Sequence, residues 1–112
     1  MDLRKELLMF TGTENYYKHP YGIYYTDGVR YLAEKARSYW LIDAIASWQR
    51  EVGSCSFQIW ELRVKDGRGL LTMKEDTNEP VKVSQVIHYT DFPLQYIKLY
   101  LVDRVLMLPS EY

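Results

Sequence analysis

Apolar residues change their spacing once along this chain, near Gly53, and the change divides it into a helical part and a strand part. Asp2 can cap a short helix over Leu3 to Phe10, with Leu3, Leu7 and Phe10 on one face at i, i+4 and i+7. From Thr11 to Gly22 no period is sustained, and Gly12, Asn15, Pro20 and Gly22 read as turn residues, so a loop is expected. Ile23-Tyr24-Tyr25 is short and β-prone. Thr26-Asp27-Gly28 then supplies a cap, and Val29, Leu32, Ala33 and Ala36 predict a helix starting near Gly28. Trp40, Leu41, Ala44, Ile45, Trp48 and Val52 form a second stripe that stops at Gly53. The two stretches are compatible with one kinked helix.

Beyond Ser54 the period falls to two. Strands are expected over Phe57–Lys65, Leu70–Glu75, Val81–Tyr89, Tyr96–Val102 and Val105–Leu108. The turns between them are Asp66-Gly67-Arg68-Gly69, Asp76 to Pro80, Thr90 to Pro93 and Asp103-Arg104. Connections this short make neighbouring strands antiparallel, since a parallel crossover takes a dozen or more residues. Ile97, Leu99 and Leu101 oppose Lys98, and Trp60, Leu62 and Val64 oppose Glu61 and Arg63, so one side of the sheet is wet and the other meets helices. The expected fold is α+β, with N-terminal helices packed on one face of a C-terminal antiparallel β-meander of four to five strands. At 112 residues the chain is expected to form one domain over 1–112.

Composition narrows the setting. Hydrophobic residues make up 47% and charged residues 26%, which separates the chain from disordered sequences and predicts a folded core. No apolar run approaches the roughly 20 residues of a membrane span, and Asp2 and Glu6 flank Arg4 and Lys5 where a secretory signal would be purely basic. The lone Cys55 makes no internal disulfide. A cytoplasmic protein with no membrane partner is therefore expected. The net charge is −1, and neither half is basic: residues 1–50 carry 7 Lys/Arg against 6 Asp/Glu, residues 51–112 carry 7 against 9. That balance counts against a broad nucleic-acid footprint. Eleven tyrosines are the unusual feature, and tyrosine is enriched at interfaces.

Catalytic patterns are missing from the residues. His19 and His88 stand far apart and outside any His-x-x-x-His or Cys-x-x-Cys spacing, so no metal and no cofactor is assigned. Cys55 and the serines lack a nucleophile-elbow or cysteine-protease context, and Gly67 and Gly69 sit in a hairpin with no helix following to offer amides to a phosphate. Tyr25-Thr26-Asp27 recurs as Tyr89-Thr90-Asp91. The shared chemistry is most simply a strand end whose side chain captures the amides of the next turn. Were the two corners neighbours, His19, Asp27, His88 and Asp91 would converge on a mixed oxygen and nitrogen site for a metal-dependent or hydrolytic enzyme. Tyr16, Tyr17, His19, Tyr21, Tyr24, Tyr25, Arg30 and Tyr89 are the candidate binding surface, which interleaves rings with basic groups. The same interleaving suits base stacking, which keeps single-strand nucleic acid as a further reading.

Five ordered segments carry a resemblance: Phe10-Thr11-Gly12-Thr13-Glu14 with Asn15-Tyr16-Tyr17, Tyr25 to Leu32, Tyr39-Trp40-Leu41-Ile42-Asp43, Tyr89-Thr90-Asp91-Phe92-Pro93-Leu94 and Leu108 to Tyr112. Together they resemble a family of small bacterial proteins, frequent in cyanobacteria and proteobacteria, defined only as a domain of unknown function. The resemblance implies a bacterial, cytoplasmic, stand-alone domain, and it brings no activity or catalytic residue with it. Residues and resemblance together lead to a non-enzymatic binding module acting through its tyrosines on a protein or small-molecule partner, with a homodimer compatible.

Overall fold

In the computed structural model, which describes residues 2–112, the change of period near Gly53 does separate helices from strands, except for two three-residue strands that precede it. The helices are α1 (Leu3–Leu7), α2 (Asp27–Lys35), α3 (Tyr39–Ser47) and α4 (Gln49–Val52). The strands are β1 (Tyr16–Lys18), β2 (Tyr24–Thr26), β3 (Phe57–Lys65), β4 (Arg68–Lys74), β5 (Val83–Ile87), β6 (Tyr96–Val102) and β7 (Val105–Met107), followed by a 3-10 turn over Pro109–Glu111. The Asp2 carboxylate accepts from the Arg4 amide at 3.0 Å and caps α1, and the Thr26 hydroxyl accepts from the Val29 amide and caps α2. The helical stretch is not one kinked helix. Arg37 has φ of 51°, and that left-handed residue turns the chain between α2 and α3.

The expected meander is corrected on three counts, although the protein remains α+β. All seven strands form one sheet in the order β1-β2-β7-β6-β3-β4-β5. First, β1 lies in the stretch read as a loop: three residues are too few to show a period, and Tyr16–Lys18 is held by pairing with β2. Second, β2 pairs with β7 in parallel, so the sheet is mixed. Short turns dictate antiparallel pairing only for strands they join, and β2 and β7 are joined by most of the chain. Third, β6 pairs with β3 rather than β5. Residues 88–95 carry the chain across the ends of β3 and β4 to the far side of β3, which no local signal specifies.

The helices bury against one face of the sheet. Leu32, Leu41 and Ile45 join Trp60, Leu62, Leu71, Leu99, Leu101 and Leu106 in a single cluster. Gln58, on that face, receives the Trp60 indole N–H and donates to the carbonyls of Val52 and Cys55, so it is buried with its polar atoms satisfied. Ile59 is buried as well, yet lies outside that cluster, on the opposite face.

Candidate functional site

The face turned away from the helices is where the structure gathers chemistry. Pairing register arranges its outward residues in rows across the sheet. Tyr24, Val105, Val102 and Phe57 form one row, and Tyr100, Ile59 and Lys74 the next. Lys98, Glu61, Thr72 and Ser84 follow, then Tyr96, Arg63, Leu70 and Val86, and finally Lys65 with Arg68. The outward positions of β3, β4 and β6 therefore hold five cations, Arg63, Lys65, Arg68, Lys74 and Lys98, against one carboxylate, Glu61. That is +4 on the outward positions of these three strands, which leaves −5 for the rest of a chain whose total is −1. The near-neutral composition hides a segregation of charge.

Glu61 organises the centre. It is 7% exposed, accepts from the Tyr96 hydroxyl, and lies 3.2 Å from Arg63 Nη2 and 3.5 Å from Lys74 Nζ. Burial pulls its carboxyl upward, and the Tyr96 hydrogen bond together with Arg63 and Lys74 outweighs that pull and holds it below the ordinary value. The Tyr96 phenol is pushed up to about 12 by burial and by its bond to Glu61. Arg63 also stands over the Tyr96 ring at 5.2 Å from its centroid. Arg63 and Tyr96 are thereby held in place together. An open cleft of about 730 Å³ adjoins them, between the end of β3 and residues 92–95, with Arg63, Lys65, Phe92, Pro93 and Tyr96 in its walls.

The other end of the face is aromatic. Phe57, Tyr100 and Tyr112 form a triangle of rings with centroids 5.2 to 5.6 Å apart, and Lys98 Nζ lies 5.9 Å from the Tyr100 centroid. Tyr112 reaches the face because the turn before it is fastened: the Glu111 carboxylate accepts from the Thr26 hydroxyl at 2.6 Å, the Gly28 amide at 3.1 Å and the Leu108 amide at 2.9 Å.

The residues singled out from the sequence divide among several places. Tyr16, Lys18 and Tyr24 lie on the outward side of β1 and β2, and Tyr24 continues the row to Phe57. Tyr17 and Tyr25 pair with each other on the inward side, where Tyr17 donates to Asp27 and lies beneath Arg30. Tyr21 is exposed beside His19. Tyr89, 90% exposed, follows β5 at the opposite edge of the sheet from β1, so the tyrosine loop and the Tyr89 corner do not form one surface. Missed altogether were Phe57, Tyr96, Tyr100 and Tyr112. The signal for three of them was legible in the alternation Tyr96-Lys98-Tyr100 and Phe57-Ile59-Glu61-Arg63 on the side set aside as merely wet.

The convergence of His19, Asp27, His88 and Asp91 does not occur. The two Tyr-Thr-Asp corners end β2 and follow β5, five interstrand steps apart, or roughly 24 Å. Each is a cap: Thr26 accepts from Val29, and Thr90 accepts from the Phe92 amide at 3.1 Å. His19, 8% exposed, accepts from the Tyr21 amide at Nδ1, which places its hydrogen on Nε2 facing Asp43 Oδ1 at 2.7 Å. Both ring nitrogens are engaged. Asp27 receives Tyr17, Asn15 and the amides of Glu14 and Asn15. Among the described residues no group of three or more His, Cys, Asp or Glu side chains is placed to hold a metal ion. Cys55 donates to Glu75 at 2.9 Å, and that bond, with burial, pushes the thiol up and away from reactivity. No helix of the described residues is long and apolar enough to cross a membrane.

A model of a family of unknown function (DUF6876) matches residues 1–112. No curated protein and no solved structure matches the chain.

Proposed function

The chain belongs to the DUF6876 family, and from that starting point we propose that it is a non-enzymatic binding module whose contact surface is the outward face of its sheet. One observation carries this reading: five cations and the rings of Phe57, Tyr96 and Tyr100 share a face that the helices leave uncovered, around a single buried carboxylate. A solvated face with no partner has no need of a Phe-Tyr-Tyr cluster, and aromatic residues and arginine are the groups that contribute most at recognition surfaces. Tyr16 and Tyr24 extend the surface along β1 and β2, so part of the tyrosine set read from the sequence belongs to it.

The test is a photo-crosslinking residue placed at Lys98 on this face and, separately, at Arg50 on α4. Illumination in cells is expected to trap a partner from position 98 and not from position 50. No adduct at position 98, or the same adducts from both positions, would sink the assignment of the face.

A further inference from the structure

We infer that the occupant of this face is single-stranded nucleic acid; the inference rests on the face being the contact surface. The argument begins with the alternation along β6. Tyr96, Lys98 and Tyr100 point outward in succession, with outward neighbours about 6.8 Å apart along the strand. The two rings, Tyr96 and Tyr100, are therefore about 13.6 Å apart, about four times the 3.4 Å separation of stacked bases, so a strand laid along β6 has its bases opened and the rings take two bases that are not stacked on each other. Cations stand beside the rings: Arg63 over Tyr96 and Lys98 near Tyr100. A ring for a base with a cation for the adjoining phosphate is the arrangement by which sheets bind single strands without reading sequence.

Charge complementarity selects the same occupant. With Lys18 of β1 the outward side is +5 and the remainder of the molecule −6, so a polyanion is attracted to one side of the protein and repelled by the other. Lys65, Arg68 and Lys98 have no carboxylate partner within ion-pair distance among the described residues, and Arg63 shares Glu61 with Lys74. A duplex presents no base faces to rings lying in a sheet. An acidic peptide would use the cations and leave Tyr100, Phe57 and Tyr112 without a role.

Fluorescence anisotropy with labelled 12-nucleotide dT and rU strands, a 12-base-pair duplex and a polyglutamate peptide tests the inference on the full chain. If Arg63, Lys65, Arg68 and Lys98 each meet a phosphate, log affinity falls with log salt at a slope of about −2.8, which is a loss of about fifty-fold between 50 and 200 mM. Replacing Lys65 and Lys98 together by Ala should flatten the slope by about 1.4. Tyr100→Leu should weaken binding about five- to 150-fold with the slope unchanged. Because Tyr100 is packed against Phe57, the lysine pair serves as the variant that leaves the aromatic ring contacts in place, removing beside them only the Lys98 amine near Tyr100. Arg50→Ala on α4 should change nothing. No binding of either strand at 50 mM salt by protein that circular dichroism shows to be folded would overturn the inference, as would equal affinity for the duplex. Binding of polyglutamate in place of the oligonucleotides would also overturn it while leaving the face as the contact surface, whereas silence of the position-98 crosslink would remove the face itself.

Discussion

At the scale of single residues, Asp27 has the most consequential environment outside the face. Its carboxylate takes the Tyr17 hydroxyl at 2.8 Å, the Glu14 and Asn15 amides and the Asn15 side chain, and so ties residues 13–17 to the start of α2. The Tyr17 hydrogen bond above all holds its pKa at about 2, below the ordinary 3.8. The sign follows from that depression: the ionised network stabilises the fold fully above about pH 5, and the stabilisation fades as pH falls through 3.8 towards 2. Asp27→Asn should therefore melt below the wild type at pH 7, with the gap in melting temperature closing by pH 2. A gap that stayed constant across that range would show that the charge is not what matters. The residue types for this network were visible in the sequence as a cap. That Asn15 and Tyr17 would supply its donors was not, because the pairing of β1 with β2 is what brings them to Asp27.

Among the elements, the C-terminal turn and α2 depend on one another. Glu111 offers both carboxylate oxygens to the beginning of α2 and to Leu108, where the helix dipole also favours a negative charge. The approach is close enough that a Cβ at Gly28 would lie 2.6 Å from Glu111 Oε1 and from Leu108 Cδ1, so a larger residue there would push the Glu111 and Leu108 side chains aside. Glu111→Ala strands the Thr26 hydroxyl and two amides, at a cost of about 1–3 kcal/mol in urea unfolding. It should also loosen Tyr112 from Phe57 and Tyr100. A variant as stable as the wild type would mean that water replaces the carboxylate without loss. The strand elements divide by length. β3 and β6 are long enough to show alternation, and their boundaries match those expected, whereas β1 and β2, three residues each, show none.

For the whole molecule, the separation of function from stability is the property to test. The helix-facing side holds the core, and the outward cations Lys65, Arg68 and Lys98 contribute no ion pair to it among the described residues. Changing all three to Ala, Lys65 and Arg68 being exposed and Lys98 half-buried, should shift unfolding free energy by less than about 1.5 kcal/mol, with the denaturant slope unchanged. A larger loss would mean that these cations hold the sheet together and are not reserved for a partner. The sequence by itself determined the local grammar: helix caps at Asp2 and Thr26, the switch of period near Gly53, the alternation of β3 and β6 and the overall α+β composition. Each of these rests on interactions between residues a few positions apart, which a pattern can display. Tertiary structure alone decided that β6 returns to β3, that β2 lies parallel to β7, and that the two Tyr-Thr-Asp corners stand apart. Those choices are made by burial across the sheet, between residues as distant as Tyr24 and Val105. The same pairing register sets Arg63 beside Tyr96 and carries the Tyr24 row to Phe57, and so builds the charged and aromatic face from positions that are scattered along the chain.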